Sequence, residues 1–220
     1  MTTPQAGPAG DPTLPAPLSP GWTAALSEAW EAYCAGSYAI GACVTDASGA
    51  VIARGRNRLS EPRGVEGGVI RGHDLAHAEI NALLNLTGAP RPDCHAWTVL
   101  TTVQPCPQCA GAIAMSGLRA VAYAAPDPWA GCTHLLTDDP YVSRKGIRVL
   151  RAPADVQRAA LRLALVSFLE DGHDHQGTLL RSFHEHQREV DVACALHAAG
   201  TLAALRRHRA SLTEVLRVLT

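Results

Sequence analysis

The segment Thr101–Gly117, "TTVQPCPQCAGAIAMSG", constrains the fold more than any other stretch. It begins as an apolar, β-branched run and ends as an alanine-rich helical pattern. Cys106 and Cys109 sit at the junction, and Pro107 is suited to a first helical position. The segment therefore predicts a strand running directly into a helix that opens at about Pro107 and closes near Ser116. Cys106 then lies at the helix boundary and Cys109 in its first turn. Exposed N–H groups and the helix dipole favour negative charge there, which lowers thiol pKa values. A redox dithiol and half of a metal site both fit that environment.

The surrounding pattern gives the architecture. "YAIGACVTD" (38–46) and "AVIARGRN" (50–57) read as two strands of a hairpin turning at Ser48-Gly49. Further strands are predicted over 95–103, 119–125 and 146–152. Helical spacing marks 23–33. A helix from Leu75 to about Leu86 is capped by Asp74 and closed by Gly88 and Pro90. The Gly-rich stretch 59–72 reads as a loop. Strands alternating with helices predict an α/β fold. From Asp155 onward the pattern is helical. One helix carries Val156, Ala159, Ala160, Leu163 and Val166 on one side, and a second covers 178–199. A last helix starts at a Ser211/Glu214 capping box. Residues 1–20 hold six prolines without periodicity and read as a disordered tail. The division is therefore a tail over 1–20, an α/β unit over 21–152 and a C-terminal helical extension over 153–220.

Composition excludes some classes. The chain has 220 residues and a formal net charge of −1, and neither half carries a basic excess. A nucleic-acid partner is not favoured on that ground. No apolar run is long enough for a membrane span, and no secretory leader is evident. Seven scattered cysteines do not resemble a disulfide framework. A reducing cytoplasm is the expected location.

The choice between redox pair and metal site depends on "HDLAHAEINALL" (73–84). His77 falls in the first turn of the predicted helix, with Glu79 two residues later. One imidazole and two thiolates make three ligands, and a three-ligand zinc site keeps its fourth position open for chemistry. Side chains at i and i+2 do not share a helix face. Glu79 is thus placed beside a metal rather than on it, as a proton-transfer group. A closed structural site would need Cys94, Cys132 or His134 as a fourth ligand. His173, His175, His184 and His186 raise the separate question of a second metal. His184 and His186 would point apart on a helix.

His77-Ala78-Glu79 followed by Pro105-Cys106-Pro107-Gln108-Cys109 resembles the zinc-dependent cytidine/deoxycytidylate deaminase superfamily. "IGACVTDASGAVIARGRN" is similar to that family's first hairpin. "CAGAIAMSGLRAVAYAAPDP" is similar to the helix and strand after the second cysteine in its tRNA-adenosine, guanine and deoxycytidylate deaminase branches. The resemblance spans roughly residues 22–152. Gln104 departs from it, standing where many relatives carry Glu. The resemblance implies a three-layer α/β/α fold with a mixed central sheet, to which the C-terminal helices are added. It implies a Zn²⁺ ion on His77, Cys106 and Cys109 that lowers the pKa of its water from about 16 toward about 7. Glu79 would be the catalytic proton carrier, and Asn57, Ile40 and Ala78 would line the base pocket. The implied activity is hydrolytic deamination of a nucleobase, nucleoside or nucleotide by a homodimer. The alternatives are a tRNA adenosine-to-inosine editing deaminase or subunit, and a non-catalytic zinc-stabilised binding protein.

Overall fold

The computed structural model describes residues 18–86, 91–173 and 177–220. Most of the expected tail, the proposed stop at Gly88 and Pro90, and His175 lie outside these residues. In chain order the elements are α1 (Pro20–Cys34), β1 (Gly41–Thr45), β2 (Val51–Arg56), β3 (Gly64–Glu66), β4 (Val69–Arg71), α2 (Ala78–Leu84), β5 (Thr98–Val103), α3 (Pro107–Met115), β6 (Ala120–Ala125), α4 (His134–Asp138), β7 (Arg148–Arg151), α5 (Ala154–Glu170), α6 (Thr178–Ser182), α7 (Gln187–Ala198), α8 (Thr201–Arg207) and α9 (Leu212–Leu219).

The central sheet has the order β2-β1-β5-β6-β7. β1 is antiparallel to both β2 and β5, whereas β5, β6 and β7 run parallel. The sheet is therefore mixed, as expected. β1 and β6 are buried throughout, the signature of strands covered on both faces. Their side chains alternate between two cores. Cys43, Leu100, Ala122 and Ala124 join α1 and α5 on one face. Ala42, Val44, Val99 and Val121 join Ala78 and Ala82 of α2 and Ile113 of α3 on the other.

Two glycines let helices approach the hairpin closely. A Cβ at Gly41 would lie 2.2 Å from the Ala25 carbonyl oxygen of α1, and one at Gly55 would lie 2.1 Å from the Ala82 nitrogen of α2. Those distances leave no room for any other residue. They fix α2, and with it the segment that carries His77, against β2.

Four local expectations need correction. Residues 59–72 are not wholly loop, because β3 and β4 pair within them. Asn81 holds that small hairpin: its Oδ1 accepts from Ile70 N–H, and its Nδ2 donates to the Arg56 and Ile70 carbonyls. α2 starts at Ala78, and its N-cap is His77, not Asp74. The predicted helix over 178–199 breaks into α6 and α7 at Phe183, a side chain only 2% exposed. Burying that ring within the α5 cluster outweighs helix continuity. An additional helix, α8, begins at Gly200, whose φ of +63° suits glycine.

α5 lies directly against the sheet, and its buried surface extends well around the helix, from Val156 to Phe168. α6, α7 and α9 cover its outer side. Arg162, 7% exposed, is satisfied there by Glu189 of α7 and by the Leu219 carbonyl of α9. Among the described residues no helix is long and apolar enough to cross a membrane.

Candidate active site and metal centre

Two helix starts meet at the site. His77 and Cys106 are the N-caps of α2 and α3, both in extended backbone, and neither side chain caps its own helix. Cys109 follows in the first turn of α3. The His77 Nδ1 lies 3.5 Å from each sulfur. The three donor atoms all fall within 4.8 Å of one another, the one such His/Cys/Asp/Glu group among the described residues.

The protonation balance of this cluster shows what it is suited to hold. The facing Cys109 thiol, with His77 and the Cys109 N–H, pulls the Cys106 thiol down to about 4 against the opposing effect of burial. The Cys106 sulfur, then burial, push Cys109 the other way. The bond to Cys106 raises His77. Donors bound tetrahedrally at about 2.0–2.3 Å stand roughly 3.5 Å apart, so two sulfurs and one imidazole at these separations fit Zn²⁺. Cys94, Cys132 and His134 do not join the group. Cys132 instead faces His134, with Sγ 3.5 Å from Nε2 at an exposed position. His184 and His186 occupy a 3₁₀ turn rather than a helix.

Glu79 is 3% exposed and lies beside the donor triad. Burial raises its pKa. Its Oε1 accepts from the Thr101 hydroxyl at 2.9 Å, and its Oε2 accepts from the Cys109 thiol at 3.2 Å. Thr101 projects from β5 and is fully buried. Nothing in its local sequence distinguishes it from the apolar strand positions around it.

A cavity of about 550 Å³ opens onto these groups, within the usual size range for small-molecule sites. Ile40, Asn57 and Ala78 are among its lining residues. Asn57 is 1% exposed, and its Oδ1 accepts from Leu59 N–H. Gln104 also borders the cavity. Its Nε2 donates to Thr133 and its Oε1 accepts from Asp127 N–H, which ties the strand end to the loop before α4. Sequence reading missed Tyr38, Asp127, Trp129, Phe168 and His173 in the lining. Asp127 and Trp129 stand in the loop after β6, where the Asp127 carboxylate accepts from the Trp129 and Ala130 amides. A Pro-Asp-Pro turn signal was readable there, but its contact with the cavity was not.

Comparison with known proteins agrees with this geometry. Residues 20–125 match the cytidine and deoxycytidylate deaminase zinc-binding region. The cytosine deaminase of Candida albicans is 31% identical over 104 residues, covering 46% of this chain and 61% of that protein. The tRNA-specific adenosine deaminase of Bacillus subtilis is 34% identical over 116 residues, covering 51% and 64%. The chain thus spans about three fifths of the length of these curated relatives. A solved tRNA:A34 deaminase, studied for A-to-I editing at the wobble position of transfer RNA, superposes with a TM-score of 0.52 at 25% identity. That superposition covers 65% of this chain and 97% of the other. The matched span contains the helix starts that bring His77, Cys106 and Cys109 together, so the similarity to the zinc-dependent cytidine/deoxycytidylate deaminases covers the candidate metal centre itself.

Proposed function

We propose that the protein is a zinc-dependent hydrolytic deaminase of a nucleobase, nucleoside or nucleotide. The observation that carries this reading is Glu79, a buried carboxylate in contact with the metal-donor set but outside it, at a cavity of substrate size. His77, Cys106 and Cys109 would hold the ion. When bound, zinc supplies a Lewis acid that acidifies water at its open position.

The remaining work falls to the chain's own residues. Thr101 anchors one oxygen of Glu79 and so directs the other toward the triad. Glu79 takes a first proton at that oxygen from the attacking water and passes it to a ring nitrogen of the base, then takes a second from the hydroxyl added to the ring carbon and gives it to the amino group as ammonia leaves. Its burial favours holding a proton between those transfers. Asn57 presents its amide at the cavity wall, while Ile40 and Ala78 give the base an apolar surface.

In this reading residues 21–152 form the catalytic unit and 153–220 the extension. Leu84 and Met115 are exposed apolar side chains on the sheet's α2/α3 side, and they support a homodimer. A reducing, cytoplasmic setting suits a site that needs two reduced thiols. The similarity to tRNA-specific adenosine deaminase supports a second reading, deamination of adenosine within tRNA. The test is ammonia release by the purified zinc-containing protein from bases, nucleosides, nucleotides and a tRNA anticodon stem-loop. Release that Glu79→Gln abolishes supports the deaminase reading, and the compound consumed decides between its two forms. No release from any compound in the panel overturns it.

A further inference from the structure

The cavity wall includes Phe168 of α5 and His173 just beyond it, both outside the matched residues 20–125. Their placement is not incidental to packing. Tyr38, in the link between α1 and β1, stands edge-on to Phe168 with ring centroids 5.3 Å apart and planes at 78°. That is a favourable aromatic arrangement. The Tyr38 hydroxyl donates to Asp171 Oδ2 at 2.7 Å. The His173 Nε2 lies 3.5 Å from the Tyr38 oxygen and 3.8 Å from Asp171 Oδ2, and the His173 backbone N–H donates to the Phe168 carbonyl at 3.1 Å.

This arrangement bears on the histidine's tautomer. A phenol has one proton, and Tyr38 gives it to Asp171. Toward His173 the Tyr38 oxygen can then only accept, so the contact favours the tautomer with the proton on Nε2. In the neutral ring Nδ1 is left as an acceptor. The C-terminal segment thus adds to the cavity an aromatic wall and one oriented imidazole. Charge sharpens the picture. Among the described lining residues none is Lys or Arg, and the carboxylates Glu79 and Asp127 are both present. A phosphate entering this cavity would meet those carboxylates and no Lys or Arg among the described lining residues.

We propose that His173 is a specificity-determining residue and that the C-terminal segment shapes the cavity for an unphosphorylated purine or pyrimidine. The ring packs against Phe168 and Tyr38, and His173 accepts a hydrogen bond from an N–H of the base or a hydroxyl of its sugar. Asp171 and Tyr38 are positioning residues for His173. The inference rests on the deaminase reading for the choice of ring compound, but the binding it describes is separable from turnover.

The test is calorimetric titration of the zinc-containing full chain with cytosine, adenine and guanine, their nucleosides and their 5′-monophosphates, with ammonia release measured in parallel. At least one base or nucleoside should bind, and its monophosphate should bind at least tenfold more weakly. His173→Ala should weaken that binding about five- to tenfold, the effect of one lost hydrogen bond. In turnover the loss should appear in KM more than in kcat, as for uniform binding. His173→Asn, which keeps an acceptor, should recover part of it. Phe168→Leu removes the aromatic wall and should weaken binding. Unchanged binding in His173→Ala, or monophosphates binding as tightly as their bases, overturns the proposal. So does binding confined to a tRNA anticodon stem-loop. Binding that responds to His173 without ammonia release sinks the deaminase reading and leaves this one standing. Ammonia release indifferent to His173 does the reverse.

Discussion

Two pairs of helix starts in this chain use their N-cap side chains differently. α1 and α9 begin on serines whose hydroxyls accept from the helix backbone, and at α9 the bond is reciprocated by Glu214 in a capping box. α2 and α3 begin on His77 and Cys106, whose side chains make no cap at all. A capping side chain is worth about 1 kcal/mol, so α2 and α3 forgo that stabilisation. Their N-cap atoms are turned instead toward each other, where Cys106 Sγ and His77 Nδ1 stand 3.5 Å apart. The N-cap suits a metal ligand because its backbone is already extended and its side chain already points past the helix end. Stability and function compete for the same position, and the two pairs of helices resolve the competition in opposite ways.

The strongest way to break this comparison is to convert one kind of start into the other. His77→Ser and Cys106→Ser each install a capping hydroxyl in place of a ligand. Bound zinc should fall from about one per chain to well below that, and turnover should disappear, as it should in Cys106→Ala and Cys109→Ala. The metal-free serine variants should be more stable than the metal-free parent by about 1 kcal/mol. Elemental analysis and metal-free melting curves check both halves. Full zinc in any of these variants would show that the triad is not the metal site.

A second change separates ligand from proton carrier. Glu79→Gln keeps the shape of the side chain and should leave zinc content and Tm near the parent values. Turnover should drop about 10²–10⁴-fold. Thr101→Val then sharpens the role of the anchor on β5. It removes one hydrogen bond to Glu79 Oε1 and should lower turnover about tenfold with zinc unchanged. A Thr101→Val enzyme as fast as the parent would mean that Glu79 holds its position without the hydroxyl.

The same competition explains what could be read ahead of the structure. The grouping of His77, Cys106 and Cys109 with Glu79 beside them was legible because each pair sits within a few residues and its spacing has a chemical meaning. The Ser211/Glu214 start was legible for the same reason. Asp74 was misread as a cap because capping preference ranks residues by stability, and at α2 that preference gives way to His77. The mixed sheet followed from the family resemblance, and its β1 and β6 were visible as continuous apolar runs. Thr101 was hidden within β5, since burial of one hydroxyl leaves no pattern. Phe168 and His173 were hidden for another reason. They reach the cavity only because α5 packs along the sheet and ends beside Tyr38, a contact across 130 residues of chain that no local spacing encodes. The break at Phe183 is likewise a tertiary effect, in which burial of one ring overrides a continuous helical pattern.

The smallest expected effect lies at the ordinary helix start. Ser211 accepts from Glu214 N–H, and the Glu214 carboxylate accepts in turn from Ser211 N–H at 2.8 Å. α9 contributes Val215 and Leu219 to the core, and its Leu219 carbonyl receives Arg162. Ser211→Ala should therefore lower stability by about 1 kcal/mol. Zinc content and turnover should stay at parent values, because nothing in this cap touches the cavity or the triad. Glu214→Ala should cost a similar amount. The double variant should cost less than the sum of the two, because each half of the box loses most of its value without the other. Denaturant unfolding of the four proteins measures that coupling. Strict additivity would mean that the two side chains act independently and that α9 is held by Val215, Leu219 and Arg162 alone. A loss of zinc in Ser211→Ala would be more damaging, since it would tie an ordinary cap to the metal centre and dissolve the distinction between the two kinds of start.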